Sequence, residues 1–215
     1  MTLNDSNGNF IRIIHALNPS EGPFYDITSI DTHTIAVSTG KCISIVNIDT
    51  HELLHKIQSN RVCYGMTHCD GKLYYCSDWE GIRRIDLKTK TNQLLVPTKD
   101  IGQYSYISSD GNKLFYTSIT GTVTCCDMNG KQIWRFQDTS ILRSPRGVVV
   151  DNQGSVFVAG EKSRNIVMIS PDGNSAKEVY QISSPRGMCN DKSENELLVC
   201  HTDRKASWFQ ISLDV

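Results

Sequence analysis

Ser144-Pro-Arg-Gly-Val-Val-Val-Asp151 returns about 40 residues later as Ser184-Pro-Arg-Gly-Met-Cys-Asn-Asp191. Each copy passes through a short turn into an apolar stretch, Val156-Phe-Val-Ala159 and Leu197-Leu-Val-Cys200. Each then continues into Ile166-Val-Met-Ile-Ser170 and Trp208-Phe-Gln-Ile-Ser212. Toward the N-terminus the central apolar stretch recurs as Ile35-Ala-Val-Ser38, Leu73-Tyr-Tyr-Cys76 and Leu114-Phe-Tyr-Thr117. The stretch after it recurs as Ile45-Val-Asn-Ile-Asp49, Ile82-Arg-Arg-Ile-Asp86 and Val123-Thr-Cys-Cys-Asp127. A further one follows at His55-Lys-Ile57, Leu94-Leu-Val96, Ile133-Trp-Arg-Phe136 and Val179-Tyr-Gln-Ile182.

These runs are rich in Val, Ile, Tyr and Phe and are parted by turn residues, so they read as strands. No segment sustains a helical period. A lone four-stranded sheet cannot bury both of its faces, whereas copies stacked radially cover one another. The sequence therefore predicts an all-β fold, a β-propeller of four-stranded blades of about 40 residues each. Five repeats are present, at approximately 23–60, 61–101, 102–142, 143–183 and 184–215 of a single domain spanning 1–215. Small residues close the central strand of each repeat (Ser38, Cys76, Thr117, Ala159, Cys200), which suits the crowded inner part of a ring. Asp5-Ser-Asn-Gly8 matches Asp127-Met-Asn-Gly130, so the chain starts and ends at nearly the same phase. Residues 10–17 are thus expected to supply a closing outer strand beside Trp208–Leu213. A piece of a larger ring, cut mid-repeat, is the alternative.

With 215 residues, 39% apolar and 21% charged, the chain is long enough to bury a core without metal or disulfide staples. A net charge of −1 gives no global field for nucleic acid, and no DNA binding is expected. No apolar run is long enough to span a bilayer, and residues 1–9 lack a signal-peptide pattern, so the expected location is cytoplasmic. Seven of the eight cysteines (Cys42, Cys63, Cys76, Cys125, Cys126, Cys189, Cys200) lie in or beside strand-like runs and read as buried thiols. His68-Cys69, Cys63 and Cys125-Cys126 lack the Cys-x-x-Cys pairing of a zinc site, so neither metal nor cofactor is expected.

The stretch Ser-Pro-Arg-Gly-Val-Val-Val-Asp through Val-Phe-Val-Ala159, with Asn165-Ile-Val-Met-Ile169 and Pro171-Asp-Gly173, resembles an NHL repeat. The likeness is clear over 143–190, fair in the flanking repeats and weak over 23–60. NHL repeats form β-propellers, usually with six blades, so the resemblance implies a five-bladed ring or a truncated six-bladed one. Such propellers often end tripartite-motif (TRIM) proteins, which are ubiquitin ligases when a RING domain is present. No RING or B-box pattern precedes the repeats here, so ligase activity would belong to a longer protein. At Phe24-Tyr-Asp26 and Gln103-Tyr-Ser105 the Pro-Arg-Gly turn is lost, a departure from the family pattern, so the resemblance implies no particular ligand.

The turn entering each repeat carries Tyr25, Tyr64, Tyr104, Arg146 and Arg186 in succession. In a propeller these would ring one mouth of the channel, where aromatic rings and guanidinium planes stack on bases or pack on peptide side chains. The competing reading is that they brace neighbouring blades. Arg61, Arg143 and Trp79 are secondary binding candidates; Trp79 either anchors a partner or, the favoured reading, covers the end of its own blade. His201 and Asp203-Arg204-Lys205 read as a solvated loop. Asp31, Asp70, Asp110, Asp151 and Asp191 recur in every repeat and read as hairpin-turn caps rather than catalytic acids.

The first functional expectation is a non-enzymatic protein-binding scaffold, which the resemblance extends to substrate recognition in a TRIM-type ligase. The alternatives are RNA binding through the Tyr/Arg rim, favoured if Arg61, Arg143, Arg146 and Arg186 converge, and a calcium-dependent lactonase- or lyase-like propeller. The last lacks a cluster that breaks the repeat.

Overall fold

Val156-Phe-Val-Ala-Gly160 shows how the repeat becomes structure, because all five residues are buried although successive side chains leave a strand on opposite faces. A strand apolar on both faces requires cover on both, and neighbouring sheets supply it. A computed structural model describes residues 22–203 and 205–211, together with the backbone of 2–4 and 10–13.

The first blade comprises β3 (Phe24–Ser29), β4 (Thr34–Thr39), β5 (Cys42–Asn47) and β6 (Leu53–Gln58), following a hairpin of β1 (Thr2–Asn4) and β2 (Phe10–Ile13). The second is β7 (Cys63–Cys69), β8 (Lys72–Ser77), β9 (Gly81–Asp86) and β10 (Asn92–Pro97). The third is β11 (Ile107–Ser109), β12 (Lys113–Thr117), β13 (Val123–Asp127) and β14 (Gln132–Phe136). The fourth is β15 (Pro145–Val150), β16 (Val156–Gly160), β17 (Asn165–Ile169) and β18 (Ala176–Gln181). The fifth has β19 (Pro185–Asp191), β20 (Glu196–His201) and β21 (Ala206–Gln210) among the described residues. Every blade is an antiparallel meander in sequence order, so the fold is the expected five-bladed β-propeller, with no helix among the described residues.

The period-two alternation assigns each face to one neighbour. Leu73 and Tyr75 join Ala36, Ile43 and Ile45 of the first blade, while Tyr74 and Cys76 join Ile107, Leu114 and Tyr116 of the third. Phe115 and Cys125 meet Val148, Val156 and Val158, and Phe157 and Ile166 meet Leu197 and Val199. Burying side chains of this size contributes roughly 1.5–3 kcal/mol each, so these inter-blade cores hold the array together. Among the described residues no such cluster joins the fifth blade to the first. Val37 and Val46, on the outward face of the first blade, form a separate cluster with Ile35 and Ile48.

The turns follow the repeat. Asp110 Oδ1 accepts from Asn112 N at 2.8 Å and Lys113 N at 2.7 Å, and Asp151 Oδ1 accepts from Gln153 N and Ser155 N. Asp31 and Asp191 bind the backbone two residues on in the same way. Asp70 and Gly71 both take positive φ (48° and 68°) in a two-residue hairpin between paired Cys69 and Lys72.

Three expectations need correction. Among the described residues Phe10–Ile13 pairs with Thr2–Asn4 in a two-stranded sheet rather than with the last blade, and β21 lies at the edge of a three-stranded sheet. A partner a few residues away in sequence closes a far shorter loop than one at the opposite terminus. Residues 14–17 lie outside the described residues. Second, Cys189 and Cys200 are exposed rather than buried, whereas Cys42, Cys63, Cys76, Cys125 and Cys126 are buried as expected. Third, Ser38, Cys76, Thr117 and Ala159 are completely buried but Cys200, at the same repeat position, is not. The last two share a cause, since no sixth sheet covers that face of the fifth blade among the described residues.

Candidate functional site

A β-bulge lies at the entry of four of the five inner strands. The register shifts between Phe24 and Asp26, Cys63 and Met66, Pro145 and Val148, and Pro185 and Met188. A bulge re-aims the residues inside it. The residues inside these include Tyr25, Tyr64, Arg146 and Arg186, which is why the rim positions leave the plane of their sheets. Tyr104, in the blade that lacks this bulge, is aimed instead by left-handed backbone (φ 71°). The antiparallel meander puts all five at the same end of their blades, together with the loops that follow the second strands.

There they form two groups. The Arg146 and Arg186 guanidiniums lie over the Tyr104 ring, 4.8 and 4.2 Å from its centroid. Both also bind Glu161, which leads the loop after β16. Arg146 Nε and Nη2 donate to Glu161 Oε2 at 2.8 and 2.6 Å, and Arg186 Nη2 donates to Oε1 at 3.1 Å. Burial pushes the Glu161 carboxyl up, but the two guanidiniums outweigh it and hold the group below its usual range. The second group is Tyr25 and Tyr64, packed edge to face at 5.0 Å. Tyr64 is only 7% exposed, and its hydroxyl donates to Asp78 Oδ1 at 3.1 Å. Burial is the main reason its phenol titrates well above the ordinary value.

The secondary candidates stand apart. Arg61 is exposed and acts electrostatically on Glu80 of its own blade, while Arg143 Nη2 reaches the Lys162 carbonyl at 3.5 Å. Trp79 is 52% exposed. Its left-handed backbone (φ 52°) is pinned outward by hydrogen bonds from its N–H to the Ile101 carbonyl and from Lys99 Nζ to its own carbonyl. His201 is held at both ring nitrogens, by the Ser183 carbonyl and Ser207 Oγ.

Two cavities adjoin this rim. The axial channel, about 260 Å³, is bounded by all five inner strands, with Asp26, Met66, Tyr106, Val148 and Met188 among its walls. A larger cleft of about 490 Å³ lies between the first and last blades. Phe24, Tyr25 and Ile27 form one side of it, Arg186, Gly187, Cys200 and His201 the other, and Tyr106 also lines it. Inner strands of successive blades pack on one another throughout, but β3 and β19 make no comparable contact.

Asp26 lines both cavities. It retains some solvent exposure, yet protein crowds its carboxyl, and burial raises it to about 7 against the lowering pull of the Met66 and Ile27 backbone N–H groups. The Met66 bond is 2.6 Å long.

Glu161, Tyr106 and Asp26 were not legible as site residues. Strand register puts Ile107 opposite Tyr116 as Met66 lies opposite Tyr75, so Tyr106 is the aromatic at the repeat position held elsewhere by Gly65, Gly147 and Gly187. Among the described residues no group of His, Cys, Asp and Glu is placed to hold a metal ion, and no helix is long and apolar enough to cross a membrane.

A family model described as the lambda-carrageenase beta-propeller domain matches residues 103–201, which is the third blade to the fifth. No curated protein matches the sequence. Among solved structures, BamB from Moraxella catarrhalis superposes with a TM-score of 0.68 at 14% identity, over 97% of this chain and 62% of that one. The chain thus spans about three-fifths of BamB's length. Nidogen, in the structure of a nidogen/laminin complex, superposes with a TM-score of 0.69 at 19% identity, over 82% of this chain and 73% of that one. Likeness at such identity speaks to the fold alone, and it agrees with the blades and their inter-blade cores: the chain is a β-propeller domain.

Proposed function

We propose that this chain is a non-enzymatic binding module that holds a protein partner on the face carrying Tyr104, Arg146, Arg186 and Trp79. One observation carries the reading: both rim guanidiniums are already engaged by Glu161 and stacked on Tyr104. Glu161 balances one of their two charges and both planes lie on Tyr104, so the rim offers mainly aromatic and amphipathic surface, with a single surplus charge, rather than a run of free cations for phosphate. Arg143 instead reaches the Lys162 carbonyl. RNA affinity derives mainly from phosphate contacts, so this arrangement favours protein. Tyr, Trp and Arg are also the residue types enriched where proteins bind proteins. The repeated Asp side chains cap their own turns, which supports a structural rather than catalytic use of those acids.

The NHL-like repeat extends the proposal to substrate recognition within a TRIM-type ubiquitin ligase, the ligase chemistry lying in a RING domain elsewhere. A cytoplasmic location belongs to the same reading, and it is supported by eight cysteines of which none is in a disulfide.

The test is selection of displayed random peptides on the immobilised chain, alongside titration of fluorescent single-stranded RNA. The proposal expects enriched peptides whose binding falls with Trp79→Ala or Arg186→Gln, and no RNA binding at physiological salt. RNA binding with a steep salt dependence, and no enriched peptide, would refute it.

A further inference from the structure

Gly65, Gly147 and Gly187 occupy the same repeat position on entry to β7, β15 and β19. In the first two, the next blade's backbone presses on the glycine. A Cβ on Gly65 would lie 2.5 Å from Tyr106 Cα and 2.7 Å from the Ser105 carbonyl oxygen. One on Gly147 would lie 2.6 Å from the Arg186 carbonyl oxygen and 2.8 Å from Met188 N. On Gly187 the nearest atoms, Cys200 Cβ and Tyr106 Oη, are 3.9 Å away. Among the described residues, the seat that receives a neighbouring backbone twice is open in the fifth blade, and it opens into the cleft of about 490 Å³.

The walls of that cleft describe what fits it. Phe24 and Ile27 are 46% and 49% exposed, an unusual state for inner-strand residues of this array. On the fifth blade the cross-strand row Cys189, Leu198, Trp208 is in register with Val149, Phe157, Met168, the row on which the fourth blade seats the fifth. At the mouth, Arg186 Nε is buried with no hydrogen-bond partner. Arg146 and Arg186 together also carry one positive charge more than Glu161 neutralises. That surplus charge at the mouth suits a carboxylate brought by a partner.

We infer that the cleft between the first and fifth blades takes an extended segment of a partner polypeptide. Its backbone lies over Gly187, an aliphatic or aromatic side chain enters beside Phe24 and Ile27, and an adjacent Asp or Glu meets Arg186. The volume lies in the range of ordinary ligand sites, and strand addition beside a sheet is a common mode of peptide recognition. This inference rests on the protein-binding reading and names the chemistry of the partner.

The test uses acetylated heptapeptides with one Trp or Leu followed by Glu, and the same peptides with Lys for Glu. Fluorescence polarisation is read on the full chain and on Ile27→Asp, Gly187→Val and Trp79→Ala, each first checked for an unchanged melting curve. The acidic peptides bind, and binding weakens about tenfold or more with Lys for Glu, with Ile27→Asp and with Gly187→Val, which is the loss of one charge-assisted contact or of the anchor. Absence of binding, indifference to the Glu-to-Lys exchange, or indifference to Ile27→Asp overturns the inference. Loss with Trp79→Ala but not with Ile27→Asp leaves the binding face standing and removes the cleft. Shielding of Cys200 from alkylation in the free chain, or a dimer that Ile27→Asp dissociates, assigns the cleft to this chain or to a second copy, and also overturns it.

Discussion

Replacing Gly147 and Gly187 by alanine, one at a time, separates a packed blade junction from an open one. Neither glycine takes a left-handed φ, so the methyl group meets its surroundings without backbone strain. At Gly147 it meets main-chain atoms at 2.6 and 2.8 Å, from the inner strand of the next blade. Main chain cannot swing aside as a side-chain tip would, so the two blades must part by several tenths of an ångström. Overpacking of this kind destabilises by about 1–3 kcal/mol. A chain of this size loses roughly 2–4 °C of melting temperature per kcal/mol, so Gly147→Ala should melt about 2–12 °C lower. Gly187→Ala gains only ordinary contact and reduces the freedom of the unfolded chain, so it should match wild type or exceed it by up to about 1 kcal/mol. Differential scanning calorimetry of the three proteins measures this. Equal losses for both variants would mean that the fifth blade is seated like the others and that the open junction is wrong.

Asp26→Asn tests the crowded carboxyl between the cavities. The folded chain holds this proton up to about pH 7, against 3.8 for the ordinary group, so stability falls as pH rises through that window and is level above it. Three units correspond to about 4 kcal/mol at most, and partial exposure of the carboxyl reduces this to about 2. Chemical denaturation should therefore show Asp26→Asn more stable than wild type at about pH 8, with the advantage gone near pH 4; an advantage independent of pH would contradict the assignment. Glu161→Gln leaves two partly buried guanidiniums without their anion and should destabilise by about 1–3 kcal/mol in the same assay. Mutual repulsion should also loosen both arginines from Tyr104, visible as a change in near-ultraviolet circular dichroism, and an unchanged spectrum would contradict the sandwich.

The repeat was readable because its marks are local. Pro145-Arg-Gly147 and Pro185-Arg-Gly187 encode a bulge, and Asp110-Gly111 and Asp70-Gly71 encode hairpins, each within a few residues. The alternation in Leu73-Tyr-Tyr-Cys76 already implied cover on both faces. What lay beyond the sequence depends on how blades meet. Tyr64 and Tyr104 both lie in the turn entering a repeat, yet Tyr64 is buried with its hydroxyl on Asp78 whereas Tyr104 lies under two arginines. Glu161 belongs to a loop whose neighbours are set only once the fourth and fifth blades are placed. Cys200 matched Ala159 and Cys76 in sequence, but burial at that position comes from the following blade, which the motif does not encode. For residues 10–13 the tie to the last blade is absent among the described residues for a related reason: matching phase at the two ends does not decide which strands pair.

The cysteines test the central claim most directly, namely sheets set like spokes with every junction packed except the one between the fifth and first blades. The measurement is alkylation of the native protein under mildly alkaline conditions, read site by site by mass spectrometry. Burial pushes the Cys63 and Cys126 thiols up to about 12 and Cys125 to about 11, and Cys76 well above its usual value. These, with buried Cys42, should stay unmodified until the protein is denatured. Surrounding protein also raises Cys189 and Cys200, yet both are exposed on the uncovered face and should react in the native state. Protection of Cys189 and Cys200 equal to that of Cys76 would contradict the open junction, and ready labelling of Cys63, Cys76 and Cys126 would contradict the stacked blades themselves.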